Sequence, residues 1–370
     1  MEANMVPLLD LKRDWPEIKE EVEEGWREVT SSMRLLNGPY LKAFEEEAAR
    51  YFGVPFAYGV GSGTEALWLA LIACGLGPGD EVLVQANAFV ADVEAIKWAG
   101  ATPVLVDIRD DYGPDPEEIK KNLSSRTKAL LVVHLYGHPL EMEEILSLCQ
   151  EYGLFLIEDA SHAHGAEYKG RKVGTFGQVG CFSCGVVKNL NALGDAGLVV
   201  TSNPEIAHKL KYLRVHGQVR KNDHEFYGFN ARLDEIQAVV LRARLKRLEI
   251  KNKRRREIAA FYRERLSDLE GLRLPPLGDE ERKPVFHRYV IRTKRRDELM
   301  EFLRAQGIGT GIYYPIPLHL QPAWQKEGYP TYHLPRSEEV AKEILAIPLF
   351  PELRLEEMEE VVEAVRSFFA

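Results

Sequence analysis

From about Lys42 to Val200 the apolar positions switch repeatedly between two periods. Spacings of three and four predict helices over Leu41–Tyr51, Gly63–Cys74, Val90–Ala99, Glu117–Leu123 and Glu141–Tyr152. Between them, Glu81–Gln85, Thr102–Asp107, Lys128–Leu135 and Leu154–Asp159 read as strands. The runs ALLVVHL and LFLI are almost unbroken in their apolar character, as in strands covered on both faces of a parallel sheet. This alternation points to an α/β domain with a mostly parallel sheet between helices and right-handed crossovers.

After Gly180 the pattern changes. GCFSC and GLVVTS read as short strands, and Arg232 to about Leu266 as one long helix or two in succession. The last hundred residues form a compact α+β pattern: strand Phe286–Arg292, then helices Arg296–Gln306, Ser337–Leu345 and Glu356–Phe369. Pro275, Pro276 and Gly278 punctuate the approach to it. The expected organisation is a large α/β domain over 1–250 and a smaller C-terminal α+β domain over 251–370, joined through the helix at about 232–266.

A length of 370 residues agrees with two domains at about 150 residues each. With 45% apolar and 28% charged residues there is ample material for a core, which excludes extensive disorder. Lys and Arg total 48 against 57 Asp and Glu, a net charge of −9 that disfavours nucleic acid as the main partner. The stretch Arg242–Arg256 holds nine cations and one acid, and reads as the solvated face of a helix. Four cysteines exclude a disulfide scaffold and fit a reducing cytoplasm. The start, MEANMVPLLDLKRDW, lacks the cationic-then-apolar order of a leader, and no run of about 18 apolar residues exists. Neither a signal peptide nor a membrane span is expected.

Three places carry chemistry. Gly61-Ser62-Gly63-Thr64 precedes a helix, where free N–H groups bind phosphate; an ordinary capped helix explains it equally well. Asp159 ends an apolar strand, where a carboxyl group needs a cation, either a local ion pair or a protonated ring nitrogen. Lys188 follows Val186-Val187 in a Gly-rich stretch with few charges, where desolvation would make its amine nucleophilic; its plain alternative is a surface loop. Together these make the equipment of a pyridoxal phosphate site: a phosphate cradle, a partner for the pyridine nitrogen and a lysine for the aldehyde.

With these residues in hand, the sequence resembles the sugar aminotransferases of the DegT/DnrJ/EryC1/StrS family, in the aspartate aminotransferase fold. The resemblance runs from VPLLDL through GSGTEAL, GDEVLV, AGATPVLVDI and IEDASHAHGA to FSCGVVKNLNALGDAGLVVTS, GFNARLDEIQA and GIGTGIYYPIPLHLQPAW. It implies that Lys188 is the Schiff-base lysine and Asp159 the partner of the pyridine nitrogen. It further implies phosphate contacts from Gly63, Thr64 and Ser183, and stacking of Phe89 on the cofactor ring. Asn230 would reach the phosphate from a neighbouring subunit, which requires a homodimer. His162 stands where Gln is usual, near the ring hydroxyl. The implied reaction moves an amino group from an amino acid, by resemblance L-glutamate, to a keto sugar, nucleotide-linked and aminated at its third carbon. Lys188 argues against the dehydratase branch, where His replaces the lysine. Two alternatives stay open: amination of a free keto polyol or keto sugar phosphate, and a non-catalytic pyridoxal phosphate-binding regulator.

The chain departs from the family pattern at Cys184-Gly185-Val186-Val187, usually aromatic with a Pro, at Asn191, usually Gly, and at Tyr313, commonly His. Tyr313 and His319 are candidates for the sugar side, and Arg232 for the donor carboxylate; an ion pair of Arg232 with Asp234 or Glu235 is its simpler reading. No metal site is expected: Cys181 and Cys184 form a C-x-x-C without two further ligands, and no H-E-x-x-H occurs.

Overall fold

The computed structural model describes residues 5–370, so the first four residues of the segment read for a leader lie outside the described residues. Seven strands form one sheet, in the order Phe56–Val60, Gly197–Thr201, Val179–Ser183, Phe155–Asp159, Thr127–Val133, Glu81–Gln85, Thr102–Val106. Only Gly197–Thr201 runs against its neighbours; the other pairings are parallel. The continuous apolar runs have the expected cause. Leu131 and Val133 enter one core with Ala66, Leu69 and Val84. Leu130 and Val132 enter another with Phe44, Ile145 and Leu156 on the opposite face. A strand with period two buries both sets of side chains only when both faces are covered.

Helices Pro39–Phe52, Gly63–Ala73, Val90–Trp98, Pro116–Lys121 and Met142–Tyr152 fall within two residues of expectation. The long connector is two helices, Glu235–Leu245 and Leu248–Leu266, broken at Lys246 and Arg247. Five of the nine cations over Arg242–Arg256 pair with acids outside these helices: Arg242 with Glu47, Arg244 with Asp14, Lys246 and Arg247 with Glu21, and Lys251 with Glu17 and Glu352; Arg244 and Arg255 are buried rather than solvated. Two boundaries need correction, the first being the strand expected from Phe286, which begins at Tyr289. The helix expected to reach Leu345 ends at Glu343, and Ile344–Ile347 is a strand antiparallel to Tyr289–Arg292. Leu345 and Ile347 complete a third core with Tyr262, Phe286 and Val361, joined by Val6, while Ile344 and Ala346 face the first core. Helices Trp15–Ser32 and Pro204–Leu213 and strand Phe56–Val60 were not read from the sequence.

Two acids end the strand Phe155–Asp159, and the pleat sends them to opposite faces. Glu158 is fully buried and accepts hydrogen bonds from His134 Nε2 at 3.0 Å and from the N–H groups of Gly174 at 2.7 Å and Gly177 at 2.6 Å. Glu158 thus fixes the loop that leads into Val179–Ser183. Glu158→Ala strands three buried donors. It should cost about 3–5 kcal/mol, seen as a large fall in thermal midpoint, whereas the exposed Glu359→Ala should stay within about 0.5 kcal/mol.

Candidate active site

The carboxyl ends of three neighbouring parallel strands, at Val133, Asp159 and Ser183, open on a cavity of about 410 Å³. Ligands settle at this edge of open α/β sheets because the loops diverge there. The cavity brings together Gly63, Thr64, Phe89, Asp159, His162, Ser183, Lys188 and Tyr313 from five separate stretches of the sequence. It does not include Asn230, Arg232 or His319.

Helix Gly63–Ala73 points its N-terminus at the cavity wall. Ser62 caps it, its Oγ accepting the N–H of Glu65 at 3.1 Å, and its carbonyl accepts the N–H of Ala66 at 3.0 Å. The N–H groups of Gly63 and Thr64 remain for a ligand, as at any helix start. Gly63 has a steric reason: a Cβ there would lie 2.5 Å from Ser183 Cβ. The two strand ends are tied as well, because Ser183 N–H donates to Ser161 Oγ at 2.8 Å and Ser161 N–H donates to Asp159 Oδ1 at 2.8 Å. Asp159 is therefore anchored through one oxygen while lining the cavity.

Lys188 sits half-buried against this wall. Desolvation pulls its amine down to about 8, against the opposing pull of Asp159 and Asp92 and with the help of the Arg288 cation. Asp92, which the sequence reading missed, is wholly buried on helix Val90–Trp98, and neither carboxyl oxygen has a hydrogen-bond partner in the protein. Burial and the neighbouring Asp159 push its pKa well above the ordinary carboxylate range, which favours its acid form. The signal was present: Asp92 shares an apolar helical face with Ala95 and Ile96.

His162 accepts the N–H of Tyr136 at Nδ1, 3.3 Å away, which leaves its proton on Nε2. Burial and the Lys188 cation push its pKa well down, so the ring is neutral. It stacks on His287 with centroids 4.3 Å apart. Phe89 is 47% exposed and meets Tyr314 with ring centroids 5.2 Å apart. His287, Arg288 and Tyr314 also line the cavity and were not singled out from sequence; a His-Arg pair opening an apolar strand was their only trace.

The remaining candidates lie elsewhere. Arg232 Nε donates to Asn230 Oδ1 at 2.8 Å, while Glu235 is taken by the N–H groups of Gly38, Tyr40 and Leu41, so the expected pairing with Glu235 is absent. Asn230 is exposed. His319 is buried, with Nε2 3.2 Å from Glu338 Oε1. Cys181 Sγ donates to Ala66 O and Cys184 Sγ approaches His164 Nε2, so the two thiols turn to different partners. Among the described residues no cluster of three or more metal-ligating side chains occurs, and no helix is long and apolar enough to cross a membrane.

Comparison with known proteins adds a family. Residues 16–366 match the model of the DegT/DnrJ/EryC1/StrS aminotransferase family. The chain is 44% identical to dTDP-3-amino-3,4,6-trideoxy-alpha-D-glucose transaminase of Streptomyces venezuelae, over 99% of this chain and 97% of that protein. It is 41% identical to UDP-N-acetyl-3-dehydro-alpha-D-glucosamine 3-aminotransferase of Acidithiobacillus ferrooxidans, over 98% and 97%. The crystal structure of ntda from Bacillus subtilis with bound cofactor PMP superposes with a TM-score of 0.92 at 32% identity, covering 100% of this chain and 86% of that one.

A depressed amine has a measurable consequence. Trapping of Lys188 by a small aldehyde and borohydride, read by mass spectrometry, should rise with pH around a midpoint of about 8, two units below an exposed lysine near about 10.4. Stability should follow the same sign. The folded-state value lies below the unfolded one, so the cost of the buried cation is present in full below pH 8 and fades toward about 10.4. Lys188→Met should therefore raise the thermal midpoint of the cofactor-free protein at pH 7, with the gain shrinking by pH 10.

Proposed function

The chain belongs to the DegT/DnrJ/EryC1/StrS aminotransferase family, and from that premise we propose that it moves an amino group from L-glutamate to the third carbon of a nucleotide-linked keto sugar. The family is pyridoxal phosphate-dependent, and the cavity residues fit that group. A cradle that one Cβ would fill, two free helix N–H groups, a strand-end Asp and a depressed lysine face one space. The observation that carries the reading is Lys188 held at about 8 beside the anchored Asp159.

When bound, pyridoxal phosphate supplies an electron-accepting ring and an aldehyde that carries nitrogen between the two substrates. The protein's part is positioning and proton traffic. Gly63, Thr64 and Ser183 would hold the phosphate, with the helix N-terminus adding partial positive charge. Asp159, anchored by Ser161 through one oxygen, would keep a proton on the ring nitrogen. His162, with its proton on Nε2, would donate to the ring oxygen, the role of the usual amide, and its neutrality avoids a third cation beside Lys188 and Arg288. With the cofactor in place, Lys188 Nζ would take the proton from the donor's α-carbon and return it two atoms away, across the transferred nitrogen. A base near 8 suits a reversible transfer close to neutral pH. Phe89 and Tyr314, whose rings meet at the cavity, would cover the cofactor ring face and exclude water.

Asn230 and Arg232 lie outside this chain's cavity; Asn230 is exposed, at the end of a surface segment that includes the fully exposed Tyr227, and the half-buried Arg232 donates to it. That placement supports a homodimer in which the segment completes the neighbouring active site. The two similar enzymes, named for 3-amino sugars on dTDP and UDP, support the third carbon and a nucleotide carrier.

The purified protein with pyridoxal phosphate should show a visible cofactor band that L-glutamate bleaches, and Lys188→Ala should abolish that response and lower turnover at least about 10²–10⁴-fold. A substrate panel tests the acceptor: turnover with free keto polyols but not with nucleotide-linked 3-keto sugars would overturn the sugar assignment. Gly63→Ala should weaken cofactor binding, because its methyl would press on Ser183 at 2.5 Å.

A further inference from the structure

Arg288 precedes the strand Tyr289–Arg292 and is the one arginine among the residues lining the cavity. It is 4% exposed. Its Nη1 donates to the carbonyl of its neighbour His287 at 3.2 Å, and its Nε has no partner. Arg292, four residues on, shows the contrast, with both Nε and Nη2 on Glu343 at 3.1 and 2.8 Å. No such pair serves Arg288 among the described residues. A buried guanidinium without an anion is costly. Its surroundings make it more so, since Lys188 and the buried Arg255 lie near enough for its charge to be felt at both. The ring of Tyr313, 5.2 Å from the guanidinium carbon, is the compensation the chain supplies.

Such a group is built to receive an anion. The phosphate cradle lies at a different wall, between the Gly63 helix and Ser183. An amino acid donor brings a second anion, its α-carboxylate, attached to the carbon whose proton Lys188 moves. That carboxylate must lie close to Lys188, and Arg288 shares the cavity wall with Lys188. A guanidinium pairs with both carboxylate oxygens in one plane. We propose that Arg288 binds the α-carboxylate of the amino donor and so restricts the first half of the reaction to α-amino acids. The inference rests on the aminotransferase reading above and replaces Arg232, which lies outside the cavity, in the role of carboxylate contact. It also gives Tyr313 a reason. The keto sugar that enters next need bring no carboxylate, and an aromatic face can hold the guanidinium then, whereas a histidine in that place would risk a further cation.

The test is titration of the pyridoxal phosphate-loaded protein with L-glutamate, for wild type, Arg288→Gln and Arg288→Lys. Arg288→Gln should raise the apparent Kd for glutamate about 10–100-fold, the worth of one hydrogen-bonded charge pair, with Arg288→Lys between. 4-Aminobutyrate, which lacks the α-carboxylate, should not distinguish the proteins. Pyridoxal phosphate affinity should be unchanged, and unliganded Arg288→Gln should melt at or above wild type, because a buried unpaired charge has gone. Arg288→Gln bleached by wild-type glutamate concentrations would overturn the proposal. So would a joint loss of cofactor affinity and thermal midpoint in Arg288→Gln, which marks a merely structural residue. A wild type that responds to no amino acid sinks the aminotransferase reading instead. In that case succinate decides: a thermal shift in wild type that Arg288→Gln lacks keeps the anion site, and equal behaviour of the two removes it.

Discussion

An amine that must act as a base near neutral pH has to be buried, and burial makes every neighbouring charge count. Lys188 is held at about 8 by desolvation, and the charges around it are arranged to keep it there without driving it lower. Asp159 supplies one negative charge. Asp92 stays in its acid form, so a second charge does not restore the lysine to its ordinary value. His162, His164 and His287 are all pushed down, His164 to about 3, and none adds a cation. The site is a buried charge balance around Lys188, with Asp159 as its anion and Arg288 as a cation that has no carboxylate partner among the described residues.

The fold makes that balance possible through the pleat of one strand. Glu158 and Asp159 are adjacent and face opposite sides of the sheet. Glu158 ties the loop at Gly174 and Gly177 and so sets where Val179–Ser183 enters the sheet. Asp159, through Ser161, ties the far end of that same strand at Ser183. Ser183 in turn meets Gly63 closely enough that only glycine fits. Cradle, anion and lysine are thus held in register by short polar links between strand ends.

Much of this was legible in the sequence because it was local. Strands buried on both faces announce themselves as continuous apolar runs, and Asp159 and Lys188 stood out as polar residues in apolar stretches. What was not legible depends on contacts between distant segments. Ile344–Ile347 follows a helix without a breaking residue and becomes a strand because Tyr289–Arg292 offers it a partner. Asp92 reads as an ordinary helical acid until Asp159 is brought beside it. Arg288 reads as a strand-edge cation until the lack of a carboxyl partner is seen. Arg232 reads as a cavity residue by motif, but its chain segment runs past this cavity rather than into it.

The size of the cavity constrains how the substrates are recognised. About 410 Å³ lies at the low end of small-molecule sites. On the reading proposed above, a space of that size would hold the cofactor with one small reacting unit at a time, so donor and acceptor would use the same wall in turn. The lining that they would share includes Arg288 and Tyr313 as well as Gly185, Val186 and Val187. The last three bring no charge to the surroundings of Lys188, so the charge balance there is left to Asp159, Asp92 and Arg288. A nucleotide linked to the sugar would extend beyond the mouth, and its recognition would then fall to the exposed surface around the cavity rather than to the cavity wall.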